Sequence, residues 1–132
     1  MNIPPQNQRI STILVVENEV SNRILIERVL STRGYRCLSA SNGREALDVL
    51  DREQVDLILT DLSMPVLDGY RTTQLIRARP GLENVPIVAV TAYALTDEGE
   101  AARQIGCTEY LTKPFKPRQL LEVVDRLLHK NA

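Results

Sequence analysis

Short apolar runs alternate along this chain with longer stretches in which apolar residues recur every three or four positions. Thr12–Val16 is a run rich in β-branched residues. Val20–Arg33 then sets Ile24, Leu25, Val29 and Leu30 at helical spacing ahead of Gly34, a residue suited to the C′ position of a helix. The same unit recurs as Arg36–Ala40 with Arg44–Leu50, Val55–Thr60 with Tyr70–Ala78, Ile87–Val90 with Asp97–Ile105, and Tyr110–Thr112 with Pro117–His129. Five strand-then-helix units are predicted. The last helix has Pro117 in its first turn and a wide apolar face of Leu120, Val123, Val124, Leu127 and Leu128, so it is expected to dock firmly. The fourth carries Gly99 internally and only Ala101, Ala102 and Ile105 as clear apolar contacts, which predicts the most mobile helix.

Runs such as ILVV, LILT and IVAV are apolar at consecutive positions rather than alternate ones. Strands of that kind are covered on both faces, as in a parallel sheet flanked by helices. The predicted class is a doubly wound α/β fold. Residues 1–11, polar and containing Pro4-Pro5, are read as a flexible N-terminal arm, and 12–130 as one domain with no repeat or low-complexity segment.

Composition narrows the partners. With 16 basic residues scattered among 17 acidic ones there is no basic stripe to hold a phosphate backbone, which argues against nucleic acid as a direct partner. No apolar run approaches the roughly 20 residues that span a bilayer, and MNIPPQNQRIST lacks the plan of a signal peptide, so a cytoplasmic protein with no membrane partner is expected. Cys37 and Cys107 stand apart from any CxxC or Cys/His cluster and read as reduced structural thiols ahead of a metal or redox role.

In an open parallel sheet, ligands bind beyond the carboxyl ends of the strands. After the first strand come Glu17, Asn18 and Glu19; after the third, Asp61; after the fourth, Thr91; after the fifth, Lys113; the second offers only Ala40 and Ser41. Each residue alone has a plain explanation, as a helix cap, a turn residue or a surface lysine. Together they form a set suited to phosphoryl transfer. Carboxylates gathered at one mouth repel by about 4 kcal/mol per pair at ~4 Å with an effective dielectric near 20, which invites a divalent cation. Magnesium suits such carboxylates plus phosphate oxygens, a lysine and a hydroxyl could bind the phosphoryl oxygens, and one carboxylate could be the nucleophile.

These motifs, ILVVENE, LILTDLSMPVLDG, PIVAVTAYA and EYLTKPF in order and at these spacings, resemble the receiver domain of bacterial two-component response regulators from about Thr12 to Leu128. The resemblance implies a flavodoxin-like sheet of order 2-1-3-4-5 with five helices. It implies that Asp61 accepts phosphate from a phosphohistidine on a sensor histidine kinase or a histidine phosphotransfer protein. Glu17, Asn18, Asp61 and the backbone carbonyl of Ser63 would hold Mg2+. Thr91 would hydrogen-bond the phosphoryl group and Lys113 would pair with it. Tyr110 would swing inward with Thr91 and relay the event, its plain alternative being an ordinary strand aromatic. Output would pass to a protein target through the fourth helix, fifth strand and fifth helix. A cis Lys113–Pro114 bond is implied as well, while Met64, Pro65, Asp68 and Gly69 fit the loop into the third helix, with Asp68 as its N-cap.

Asn18 departs from the family pattern, which has an aspartate there, so metal affinity is expected to fall; Glu19 either compensates or points away. Ser63 and Tyr93 flank the path of a hydrolytic water and would tune phosphate lifetime. The expectation is a stand-alone signalling phosphoacceptor rather than an enzyme. The alternative is a degenerate receiver that serves as a phosphorylation-independent interaction module. An aspartate-nucleophile phosphatase is disfavoured because ENE stands where a DxD is needed, and a nucleotide-binding protein because GxGxxG and GxxxxGK[ST] are missing.

Overall fold

The computed structural model describes residues 10–62, 69–91 and 106–129. In chain order these hold β1 (Thr12–Val16), α1 (Val20–Ser31), β2 (Arg36–Ala40), α2 (Gly43–Arg52), β3 (Leu57–Asp61), α3 (Gly69–Arg77), β4 (Ile87–Thr91), β5 (Glu109–Thr112) and α4 (Pro117–His129). All five strands are parallel, in the order β2-β1-β3-β4-β5. The described residues hold four helices; the fourth of the five expected from sequence, Asp97–Ile105, lies outside them.

Alternate strand residues feed two cores. Ile13, Val15, Leu57, Leu59, Val88 and Val90 pack under α1 and α4, whereas Leu14, Val16, Ile58, Ile87 and Ala89 pack under α2 and α3. The three central strands are buried at every position, which is why their apolar residues run consecutively. Edge strand β2 is exposed at Arg36 and Ser39.

Two readings of α1 need correction. Its buried residues are Ile26 and Leu30, while Ile24 and Leu25 are exposed at 44% and 59%. At 3.6 residues per turn Ile24, Leu25, Val29 and Leu30 do not share one face, whereas Ile26 and Leu30, four apart, do, and that face meets the sheet. The helix also ends at Ser31 with Thr32 as C-cap, so Gly34 lies one residue beyond C′. Its φ of +80° still serves the turn, and its N–H bonds the Ser31 carbonyl at 3.0 Å. β3 starts at Leu57, two residues later than the apolar run, and Asp56 just before it accepts the Thr12 N–H on its carboxylate at 2.7 Å.

Asn42 caps α2 by accepting the Glu45 N–H, and Glu45 reaches back to the Ser41 N–H at 2.7 Å. At the other end of the chain, Arg33 and Tyr35 both donate to the Asp125 carboxylate and so tie α4 to the turn after α1. Burial and that hydrogen bond push the Tyr35 phenol well above its ordinary value.

Arg77, the last residue of α3, fastens the opposite ends of β4 and β5. Its guanidinium donates to the carbonyls of Gly106 (2.9 and 2.8 Å), Leu82 (3.0 Å) and Val85 (2.6 Å). A lysine has one nitrogen in place of this fork and cannot reach three carbonyls. Arg77→Lys is expected to cost about 2 kcal/mol, since partly buried carbonyls lose charge-assisted bonds. Urea unfolding checks it: the midpoint should fall while the slope against denaturant stays constant.

Candidate functional site

Parallel pairing brings every carboxyl end to one edge of the sheet, and the register decides which residues stand together there. Val16 pairs with Thr60, so Glu17 and Asp61 follow side by side. Asp61 pairs with Val90 and Thr91 with Thr112, which puts Lys113 just past Thr91; the Lys113 N–H bonds the Thr91 carbonyl at 2.9 Å. Four residues read separately from the sequence thus converge. The Lys113–Pro114 bond is cis.

The side chains meet as well. Lys113 Nζ lies 2.9 Å from Asp61 Oδ2 and 3.8 Å from Glu17 Oε1. Asp61, Glu17 and Thr91 are only 6%, 3% and 4% exposed, while the Lys113 side chain is about a third exposed. Two buried carboxylates therefore share one ammonium, and the three carry one excess negative charge. Buried carboxylates are costly unless paired, so the arrangement favours any cation that reaches it. The donors are hard carboxylate oxygens, with the Asn18 amide on the same loop, and this set suits Mg2+ rather than a softer metal.

Around this centre the expected residues divide. Asn18 is exposed at the mouth. Glu19 is exposed too, and its Oε1 accepts the Ser21 hydroxyl at 2.6 Å, so its carboxylate is engaged along α1. The Glu17 side chain shapes the same loop by accepting the Glu19 N–H on Oε2 at 2.9 Å. Tyr110 is half-buried against the core under α2 and α3. Gly69 is buried at the start of α3, against the backbone of Asp61 and Leu62. Ser63, Met64, Pro65, Asp68 and Tyr93 lie outside the described residues.

Arg23 was not singled out by the sequence reading, and Ser41 was named only as the residue after the second strand, yet together they brace the loop that carries Glu17. Arg23 Nη1 donates to the Glu17 carbonyl at 2.9 Å and to Ser41 Oγ at 3.1 Å. Nothing in the sequence signals this, because Arg23 sits on the polar face of α1 like any solvated arginine. Beside the site, a crevice of about 550 Å3 between α1 and the entry to α4 includes Glu17 and Lys113 in its lining, together with Leu25, Val29, Phe115 and Leu120.

The thiols stand apart from this chemistry. Cys37 and Cys107 are free, and burial together with the nearby Glu27 carboxylate pushes the Cys37 thiol up to about 11. It is protonated and unreactive at neutral pH. No helix among the described residues is long and apolar enough to cross a membrane.

A sheet of this order, with its acidic pocket and lysine at the carboxyl edge, defines a class, and residues 13–125 match the response regulator receiver domain. The chain belongs to that family of two-component signalling domains, whose members receive phosphoryl groups from sensor histidine kinases. It is 36% identical over 124 residues to the sensor protein GacS of Pseudomonas syringae pv. syringae, covering 92% of this chain and 14% of GacS. The chain thus spans about a seventh of that relative's length. Among solved structures it resembles the receiver domain of sensor histidine kinase PA1611 from Pseudomonas aeruginosa PAO1. That domain has a magnesium ion coordinated in its active-site cleft; the likeness has a TM-score of 0.84 and 39% identity, over 91% of this chain and 98% of that one. The chemotaxis protein CheY4 of Vibrio cholerae matches with a TM-score of 0.86 and 28% identity, over 90% and 99%.

Proposed function

We propose that this chain is a phosphoacceptor: Asp61 takes a phosphoryl group from a phosphohistidine on a sensor kinase or phosphotransfer protein. The observation that carries the reading is the placement of one ammonium, Lys113 Nζ, against both Asp61 and Glu17 at the carboxyl edge of the sheet. An Asp61 carboxylate oxygen attacks phosphorus, the P–N bond to the imidazole breaks as the P–O bond forms, and the histidine leaves as neutral imidazole, keeping the proton already on its other ring nitrogen. The product is an acyl phosphate. Lys113 is already within reach of Asp61 and would follow the charge onto a phosphoryl oxygen, with the Thr91 hydroxyl as a second donor.

Glu17, Asp61, the Asn18 amide and the Ser63 carbonyl would hold Mg2+, which when bound neutralises charge on the phosphoryl oxygens. The bound phosphoryl group would draw Thr91 inward and Tyr110 with it, altering the face made by β5, the last helix and residues 97–105 for a protein target. Ser63 and Tyr93 would set the lifetime of the phosphate. The protein signals by binding, not by turnover of a substrate. A cytoplasmic location belongs to this reading, in keeping with two free thiols. The test is incubation with Mg2+ and acetyl phosphate followed by intact mass and peptide mapping. A phosphate adduct on the Asp61 peptide is expected; none under saturating donor would overturn the reading.

A second reading, a degenerate receiver acting as a constitutive interaction module, draws on the neutral Asn18 and on the engagement of Glu19 with Ser21. A Mg2+ titration of wild type beside Asn18→Asp decides between them: wild-type saturation only far above physiological concentration, with tight binding restored by the substitution, favours the degenerate reading. Adding a charge beside a divalent cation is expected to tighten Mg2+ binding about tenfold, equivalent to ~1.4 kcal/mol. If calorimetry finds wild-type binding already tight and unimproved by the substitution, the degenerate reading fails.

A further inference from the structure

The acidic loop after β1 is held from behind by a residue that bonds its backbone. The half-buried Arg23, at the end of the first turn of α1, folds back so that a single nitrogen, Nη1, donates to the Glu17 carbonyl at 2.9 Å and to Ser41 Oγ at 3.1 Å. That carbonyl belongs to the peptide joining Glu17 to Asn18. Its plane sets the directions in which both side chains leave the backbone, so the bond controls the loop at its most consequential point. Ser41 is no loose anchor either: its N–H is held by Glu45, and Asn42 beside it caps α2. The chain of contacts thus runs from α2 through Ser41 and Arg23 to the peptide between the two proposed metal-facing residues.

We propose that Arg23 is a positioning residue that holds the Glu17–Asn18 peptide in the orientation required to bind the cation. The proposal rests on the phosphoacceptor reading above for its metal and goes beyond it in assigning the control of that metal. Two effects of Arg23 oppose each other. Its positive charge repels a nearby cation, so deleting it would tighten metal binding if charge were all that mattered. Its hydrogen bonds orient the ligands, and loss of such outer partners typically weakens metal binding 10- to 100-fold. The second effect is the larger here, because Arg23 holds the backbone carbonyl of a residue that faces the metal. The loop also carries a neutral amide at Asn18, so correct aim of its remaining dipole matters more than at a second carboxylate.

The sign of the change therefore tests the idea. Mg2+ affinity is measured by calorimetry on wild type, Arg23→Ala, Arg23→Lys and Ser41→Ala. Arg23→Ala is expected to weaken binding about tenfold and to slow phosphate incorporation from acetyl phosphate at subsaturating Mg2+, with the deficit closing as Mg2+ is raised. Arg23→Lys, which can reach one of the two acceptors, should recover part of the loss, and Ser41→Ala should show a smaller loss that does not add to that of Arg23→Ala. Thermal midpoints in metal-free buffer serve as the folding control. Affinity unchanged or tighter in Arg23→Ala would overturn the proposal and leave Arg23 a surface charge.

A second measurement keeps the two readings separable. Amide hydrogen exchange in metal-free protein should be faster at Asn18 and Glu19 in Arg23→Ala than in wild type. Were wild type to bind no Mg2+ and accept no phosphate, the phosphoacceptor reading would fall with the metal part of this one, and the hold on the peptide would be judged by exchange alone. Equal exchange in the two proteins would refute that hold.

Discussion

Asp61→Asn is expected to take up no phosphate from acetyl phosphate at any Mg2+ concentration, with intact mass as the measurement. An amide oxygen is a poor nucleophile, and the substitution also strips one of two buried charges from the cation site. The variant should nevertheless fold, because Lys113 keeps Glu17 as a partner at 3.8 Å. A second signature separates loss of chemistry from loss of metal. A ligand that binds only the folded state stabilises it by about 2.7 kcal/mol at a hundredfold excess over its dissociation constant. Wild type should therefore melt at a higher temperature as Mg2+ is added, and Asp61→Asn should lose most of that shift. A phosphate adduct retained by the variant would mean that another side chain is the acceptor.

Gly69→Ala is expected to destabilise the protein by about 2 to 3 kcal/mol, although the residue is helical and alanine is the better helix former. A Cβ there would lie 2.5 Å from the Asp61 carbonyl oxygen and 2.5 Å from the Leu62 Cα. Both obstacles are backbone, so no rotamer change relieves them. The gain in helix propensity, at most ~1 kcal/mol, is smaller than the cost of pushing α3 away from β3. Since the atoms displaced carry Asp61, phosphate incorporation should fall along with the urea midpoint. A variant more stable than wild type would show that α3 can slide without cost.

Much of the site was legible because a parallel sheet makes position along the chain equivalent to position in space. Glu17, Asp61, Thr91 and Lys113 each follow an apolar run, and parallel pairing carries all such residues to one edge. The order of the strands was not legible from hydrophobicity, since ILVV and LILT would look the same in any central position. It came from the resemblance of four motifs, and the structure agrees with it. The inward face of α1 was not legible either: Val20, Ile24, Leu25, Ile26, Val29 and Leu30 are spread around the whole helix, and of these only Ile26 and Leu30 are buried.

By itself, then, the amino-acid pattern determined the alternation of strands and helices, the burial of the central strands on both faces and the set of reactive residues at their ends. These are local properties, written in the spacing of apolar side chains. Only the tertiary structure decided that Lys113 stands between Glu17 and Asp61, that Gly69 lies against the backbone of Asp61, that Arg77 bolts α3 to the starts of β4 and β5, and that Arg23 reaches back to the Glu17–Asn18 peptide. Those contacts join elements far apart in the chain through flexible side chains or close backbone approaches, and nothing in their local sequence distinguishes them from a solvated arginine or a turn glycine.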